Sequence, residues 1–182
     1  MRAKIILVFG GSNSGKSEFA ENLVCQEEGV RVYLATMDSA AAYNQATIAR
    51  HREKRKDKGF ITVECPYFLR EAVPKIKEWN QNKDEAGCTV LLECLSNLLA
   101  NQVFATEAPD WQHLQDNLES IMGIAEHCRK LIIVGNILSE EGKAYSPETV
   151  EYIRLLEKLQ KEIAKLADEV YEVAAGIPCR VK

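Results

Sequence analysis

A short apolar run that ends in a glycine-rich turn constrains this chain more than any other feature. Residues 5–9 are apolar and rich in β-branched side chains, which is typical of a buried strand. Residues 16–26 place apolar side chains on one helical face. The turn at residues 10–17 reads G-G-S-N-S-G-K-S and matches the pattern G-x-x-x-x-G-K-[ST] at every fixed position. The sequence therefore predicts a strand, a phosphate-binding turn and a helix in immediate succession.

The residue types in this turn are those that a triphosphate site requires. Glycines let backbone N–H groups curl around phosphate oxygens, and the start of the helix adds partial positive charge. Lys16 can bridge the outer phosphates and is a predicted catalytic residue, while the Ser17 hydroxyl can ligate Mg²⁺. The predicted phosphate-binding residues are Gly10, Gly11, Ser12, Asn13, Ser14, Gly15, Lys16 and Ser17.

An acidic metal ligand is expected at the end of another buried strand. Residues 89–92 have the composition of such a strand, and Glu93 follows them directly. In an open α/β sheet this position lies at the carboxyl edge, where ligands bind. We therefore predict that Ser17 and Glu93 hold Mg²⁺ together. A second interpretation, in which Glu93 merely caps the following helix, stays open at this point.

Strand-like and helix-like segments alternate along the rest of the chain. Further strands are predicted over residues 30–35, 60–63, 131–134 and 170–173, with another possible in the tail from residue 176. Helices are predicted over residues 40–58, 69–79, 95–104, 111–128 and 147–167. This alternation predicts an α/β fold of the P-loop NTPase type, a mostly parallel sheet with helices on both faces. We expect residues 1–182 to form a single nucleotide-binding domain.

Composition narrows the environment and the partners. The chain has 182 residues and a formal net charge of −4, so no basic footprint indicates nucleic-acid binding. The short apolar run at the start is no signal peptide, and no stretch approaches the length of a membrane span. None of the six cysteines forms a C-x-x-C pair. We therefore expect a cytoplasmic protein with reduced thiols.

Residues 50–58 form a basic island in this acidic chain. Six cationic and two acidic residues give the segment a net charge of +4, which suits a polyanion such as a triphosphate. On charge alone, a solvated basic face is the more common explanation. His51 lies within the island, and a neutral imidazole can attack phosphorus. Flanking cations favour that neutral form, so His51 is a candidate nucleophile.

Five segments in the same order resemble one known family. They cover residues 9–17, 32–36, 48–64, 91–101 and 167–182. The segment around His51 resembles the family pattern that runs from its histidine to a later glutamate. The ending, with A-D-E-V followed by G-I-P, resembles the family's last strands. On these segments the chain is similar to the bifunctional adenosylcobinamide kinase and adenosylcobinamide-phosphate guanylyltransferase family of cobalamin biosynthesis.

The resemblance implies a two-step activity. A family member uses ATP or GTP to phosphorylate adenosylcobinamide, and then transfers GMP from GTP through a histidine–GMP intermediate. His51 stands at the position of that histidine. The resemblance also implies Mg²⁺ as cofactor, a corrinoid and a nucleoside triphosphate as partners, and a homo-oligomer of the family's trimeric kind. The residues implied to contact the nucleotide outside the glycine-rich turn are Ala35, Thr36, Met37, Arg52, Glu53, Lys54, Arg55, Glu64 and Glu93.

The chain departs from the family pattern after Asn136. Residues 137–139 are inserted before the acidic and glycine positions, and the next helix lacks a glycine that the family carries. Two alternatives therefore stay open. One is a small-molecule kinase that has only the phosphate-loop chemistry and does not need His51. The other is a nucleotide-binding regulator without guanylyl transfer.

Overall fold

The computed structural model describes residues 3–81, 87–105, 111–138 and 144–182. Seven strands form one sheet: β1 Lys4–Phe9, β2 Val30–Ala35, β3 Phe60–Glu64, β4 Cys88–Glu93, β5 Lys130–Val134, β6 Glu169–Ala174 and β7 Ile177–Arg180. The helices of these residues are α1 Lys16–Cys25, α2 Gln45–Arg55, α3 Val73–Gln81, α4 Leu95–Ala105, α5 Trp111–Glu126 and α6 Pro147–Leu166. Short 3₁₀ turns precede α2 and α3, at Ala42–Asn44 and Leu69–Ala72.

The sheet has the strand order β3-β2-β4-β5-β1-β6-β7. All neighbouring strands pair in parallel except β6 and β7, which form an antiparallel hairpin. Because parallel strands share one direction, the loops that follow β1, β2, β4 and β5 all emerge at one edge. The glycine-rich turn after β1 therefore lies at the same edge as Glu93.

Helices cover both faces of this sheet, as predicted. In β1, Ile5 and Leu7 join the core cluster beneath α3, α4, α5 and α6. Ile6 and Val8 point to the other face, where they pack with Ala20 of α1. This two-residue alternation within a continuous apolar run is what a strand buried on both sides requires.

Three sequence predictions can be compared with the structure at element boundaries. The helix predicted over residues 40–58 is shorter, because a 3₁₀ turn precedes it and α2 ends at Arg55. The helix predicted over residues 69–79 is divided into the 3₁₀ turn Leu69–Ala72 and the helix α3. Pro74 occupies the second position of α3, where a missing N–H is tolerated. The strand foreseen in the tail is present as β7.

The long helix α6 begins and ends with side-chain contacts. The Ser146 hydroxyl accepts a hydrogen bond of 3.3 Å from the Thr149 N–H, and Pro147 opens the first turn. At the other end, the Lys182 ammonium donates to the carbonyls of Ala164 and Ala167, at 3.2 and 2.6 Å.

No helix among the described residues is both long enough and apolar enough to cross a membrane.

We predict that Lys182→Met lowers the free energy of unfolding by about 1 kcal/mol, because the last carbonyls of α6 lose a charged donor. Lys165→Met is the control, since that lysine is exposed and pairs with Glu162 one turn away; its effect should stay below about 0.5 kcal/mol. Urea denaturation measures both. Equal stability losses would contradict the assignment of Lys182 as the cap.

Candidate functional site

The turn between β1 and α1 is folded as a phosphate cradle. Gly15 has a φ of 91° and forms the N-cap of α1, and Asn13 has a φ of 56°. These left-handed conformations curl the backbone over the start of the helix. The Lys16 ammonium lies back over the turn and donates to the Gly11 carbonyl at 3.0 Å. An incoming phosphate would exchange this contact with a neutral carbonyl for an ion pair with Lys16.

The β6–β7 hairpin supports the cradle from beneath. The Gly176 N–H donates to the Ser14 carbonyl at 2.8 Å. A Cβ added at Gly15 would lie 3.1 Å from the Gly176 Cα, and one added at Gly10 would lie 2.4 Å from the Val173 carbonyl oxygen. Gly10 and Gly15 are thus needed for close packing against β6 and its turn, in addition to any role toward phosphate.

Ser17 and Glu93 meet at the carboxyl edge, as the metal-site prediction requires. The Ser17 hydroxyl donates to Glu93 Oε1 at 2.8 Å. Burial raises the pKa of the Glu93 carboxyl to about 7, against the opposing effects of Ser17 and Lys16. Glu93 Oε2 is buried and has no hydrogen-bond partner among the described residues. A cation would satisfy that oxygen and restore the ionised form.

The donor set at this position fits Mg²⁺. One hydroxyl and one carboxylate are hard oxygen ligands, and Mg²⁺ commonly binds to one or two protein groups together with phosphates and water. The described residues contain no cluster of three or more histidine, cysteine or acidic side chains that could hold a metal alone. The remaining ligands would therefore come from the bound nucleotide and from water.

Two neighbouring cavities open at this edge. The larger, of about 510 Å³, lies over the cradle, and the smaller, of about 110 Å³, lies between α2 and strands β2 and β3. His51 and Met37 line both. The larger cavity is also lined by Ser12, Asn13, Ser14, Gly15, Lys16, Ser17, Glu18, Arg50, Lys54 and Asn136. The smaller is also lined by Tyr33, Ala35, Ile48, Arg52, Arg55, Thr62, Glu64, Glu93 and Asn97.

The surroundings of His51 favour the neutral form of its imidazole. His51 lies on α2 and is half-buried between the two cavities. Burial lowers the pKa of the imidazole, and the nearby Arg55 and Arg50 guanidinium groups lower it further. A neutral imidazole has a free ring lone pair at pH 7, which is the form that can attack phosphorus.

Two arginines of α2 hold defined positions in the smaller cavity. The buried Arg55 guanidinium lies 3.5 Å from the centre of the Tyr33 ring. Its Nη1 is buried and has no partner among the described residues. Arg52 forms an ion pair of 2.7 Å with Glu64, whose other oxygen accepts from the Ser39 hydroxyl at 2.6 Å.

Some predicted contact residues lie away from both cavities. The Thr36 hydroxyl is fully buried and exchanges hydrogen bonds with the backbone of Glu93 and Cys94, so it joins the ends of β2 and β4. Glu53 is exposed and pairs with Lys56 at 3.8 Å. Neither Thr36 nor Glu53 lines these two cavities. Their neighbours in the same motifs line the cavities instead: Ala35 and Met37 beside Thr36, and Arg52 and Lys54 beside Glu53.

Sequence reasoning also missed several lining residues. Arg50 belongs to the basic island that suits a triphosphate, but it was not among the individually predicted contact residues. Asn97 and Asn136 follow the ends of β4 and β5, so their place after a buried strand was the available signal. Tyr33 lies in the segment 32–36 that resembles the family, but an aromatic residue inside a strand is usually core, so it was not predicted as a contact residue.

The fold and the cradle define the class of the protein. Its fold is similar to that of a KaiC-like protein from Pyrococcus horikoshii, with a TM-score of 0.55 at 12% identity over 94% of this chain and 72% of that one. It is also similar to the RadB recombinase, with a TM-score of 0.54 at 14% identity over 94% and 74% of the two chains. These likenesses concern the fold alone. The protein is a P-loop nucleotide-binding protein.

Sequence comparison defines the family. The model for "cobinamide kinase / cobinamide phosphate guanyltransferase" matches residues 6–181, so the chain belongs to that family. It is 30% identical to the bifunctional adenosylcobalamin biosynthesis protein CobU of Escherichia coli, over 98% of this chain and 99% of the relative. It is 29% identical to CobP of Pseudomonas aeruginosa, over 97% and 96%. The family resemblance predicted from the sequence is confirmed.

We predict that the Mg²⁺ concentration at half-maximal activity rises about tenfold between pH 8 and pH 6. The pKa of Glu93 is about 7, so falling pH adds a proton that competes with the cation. Glu93→Gln should need more Mg²⁺ at pH 8 and lose this part of the pH dependence. Metal titrations at fixed GTP test both. An unchanged titration in Glu93→Gln would leave Glu93 as a helix cap.

We also predict that Gly176→Ala raises the KM for GTP by up to about tenfold. The φ of Gly176 is 80°, which strains an alanine by about 1–2 kcal/mol, and the turn would relax away from Ser14. Gly176→Asn is the matched control, because asparagine tolerates this conformation and open space surrounds the new Cβ. A loss of thermal stability without a change in KM would show that the turn supports the fold and not the cradle.

Proposed function

We propose that this protein phosphorylates adenosylcobinamide and then transfers GMP to the product through His51. One observation carries the proposal: His51 lies between the phosphate cradle and a second cavity, at the position where the two meet. A nucleotide whose outer phosphates occupy the cradle and whose base enters the smaller cavity would have to pass this imidazole. Its inner phosphate would then be the phosphorus nearest to His51.

In the first reaction the cradle holds the β- and γ-phosphates of ATP or GTP. The acceptor hydroxyl of adenosylcobinamide attacks the γ-phosphorus, the bond to the β-phosphate oxygen breaks, and the nucleoside diphosphate leaves. The hydroxyl proton passes to solvent or to a nearby base. Lys16 and the N–H groups at the start of α1 stabilise the charge that spreads over the transferred phosphoryl oxygens. This step makes no use of the His51 nucleophile.

In the second reaction a His51 ring nitrogen attacks the α-phosphorus of GTP and pyrophosphate leaves. A phosphate oxygen of cobinamide phosphate then attacks the same phosphorus, the bond to the imidazole breaks, and GDP-linked cobinamide forms. A covalent intermediate divides one transfer between two anions into two in-line steps. Arg50 and Lys54 border the larger cavity and would offset the charge of both the leaving and the entering phosphates.

The smaller cavity supports recognition of guanine. Glu64 presents a carboxylate, and a guanine edge carries two adjacent N–H donors that pair well with a carboxylate. Tyr33 and Arg55 form a flat stack beside it, against which a base can lie. Glu64 is already paired with Arg52 and Ser39, so the base would replace the Arg52 contact.

Mg²⁺ would be held by Ser17 and Glu93 and would supply charge neutralisation at the outer phosphates. Side chains of the protein perform the other roles: Lys16 orients the phosphates, and His51 forms the covalent bond to GMP. The proposal includes a cytoplasmic enzyme and a homo-oligomer of three chains. The family resemblance alone supports the trimer, and the sequence composition supports the cytoplasm.

We predict that His51→Ala removes the covalent GMP label and retains phosphorylation of adenosylcobinamide. Purified protein is incubated with α-labelled GTP and Mg²⁺ and separated by denaturing electrophoresis. The label on the wild-type chain should survive alkali and leave in acid, as expected for a phosphorus–nitrogen bond. Because burial and arginines lower the pKa of His51, labelling should persist as the pH falls through 6.5.

His127→Ala is the matched control, because this histidine lies just after α5 and lines neither cavity. It should label like the wild type. Phosphorylation without any label would identify a kinase that has kept the phosphate-loop chemistry alone. GTP binding with neither reaction would identify a nucleotide-binding regulator.

A further inference from the structure

A third cavity shares no lining residue with the smaller cavity beside α2. It has a volume of about 270 Å³ and sits between the end of β1, the segment after β5 and helix α6. Its walls are mainly apolar, with Phe9, Ile137, Leu138, Ile153 and Leu156 among them. The proposed binding mode of the nucleotide leaves this cavity empty.

This cavity adjoins the phosphate site. Asn136 lines both the apolar cavity and the larger cavity over the cradle. The Ile137 N–H donates to the Gly10 carbonyl at 3.0 Å, which joins the cavity wall to the first residue of the cradle. A molecule bound in the apolar cavity can therefore extend past Asn136 toward the outer phosphates of a nucleotide.

Two amide side chains in the wall have incomplete hydrogen bonding. The Gln160 side-chain amide donates to the backbone carbonyl of Asn136 at 3.1 Å. The Asn136 side-chain amide donates to the Ser96 hydroxyl. Asn136 Oδ1 and Gln160 Oε1 are buried, and within the described parts of the chain neither has a partner. A buried acceptor without a donor is costly, so a small rotation that meets an entering N–H would be favourable.

We propose that this cavity binds the amide-bearing edge of the corrinoid acceptor. The inference rests on the proposed function, which requires an acceptor beside the outer phosphates. A corrinoid has an apolar, methyl-bearing rim with amide side arms. The cavity has mainly apolar walls, the charged Glu157 and Lys161, and behind its surface the two buried side-chain carbonyls that lack donors among the described residues. Its volume is too small for a whole macrocycle, so it takes one edge and leaves the arm with the reactive hydroxyl free to reach the cradle.

The test is equilibrium dialysis with adenosylcobinamide, which measures binding without turnover. Ala164→Leu fills the cavity from α6 and should weaken binding about tenfold. Gln160→Leu removes one acceptor and should weaken it about threefold. Arg154→Leu is the control, since this exposed residue of the same helix does not line the cavity. Its binding should match the wild type.

Labelling of His51 by GTP serves as the independent measure of a folded site. All three variants should form the label like the wild type, because the nucleotide does not enter the apolar cavity. Wild-type affinity for adenosylcobinamide in both cavity variants, or no binding by the wild-type chain, would overturn the inference. A wild-type chain that binds the corrinoid but forms no label would count against the guanylyl transfer and leave the acceptor cavity standing.

Discussion

The order of the central strands brings Ser17 and Glu93 into hydrogen-bonding contact. The proposed metal site beside the phosphate cradle depends on this contact. β5 lies between β1 and β4 in the sheet, and all three are parallel. The turn after β1 and the end of β4 therefore meet at one edge although they lie far apart in sequence. Burial at this edge makes the ionised Glu93 carboxylate costly, and a cation held between Glu93 and Ser17 would offset that cost.

The cradle is equally a product of close packing. Gly10 approaches β6 so closely that a side chain would collide with the Val173 carbonyl. Gly15 has a left-handed φ and lies close to Gly176, whose N–H donates to the Ser14 carbonyl. The phosphate-binding backbone is thus held by elements from the far end of the chain. This explains why a glycine-rich loop, which on its own would sample many conformations, can be preorganised for an anion.

The three cavities at this edge of the sheet differ in the polarity and charge of the residues that line them. A polar cavity lies over the cradle, a cavity with Glu64 and stacked Arg55 lies beside α2, and an apolar cavity lies beside α6. His51 borders the first two, and Asn136 borders the first and the third. A nucleotide and an acceptor bound as proposed would have the phosphates between them, as the transfer of phosphoryl and guanylyl groups demands.

The sequence by itself determined the cradle, the alternation of strands and helices, and the family, because these depend on local patterns. An apolar run ended by G-G-S-N-S-G-K-S leaves few other folds, and the segments around His51 and at residues 167–182 are specific. Only the tertiary structure decided which residues of each motif face the site. Thr36 and Glu53 turn away, whereas Tyr33, Asn97 and Asn136 turn inward, because strand pairing and helix packing set their direction. The apolar cavity likewise forms only where α6 meets the ends of β1 and β5, and a contact between distant elements leaves no pattern in the local sequence.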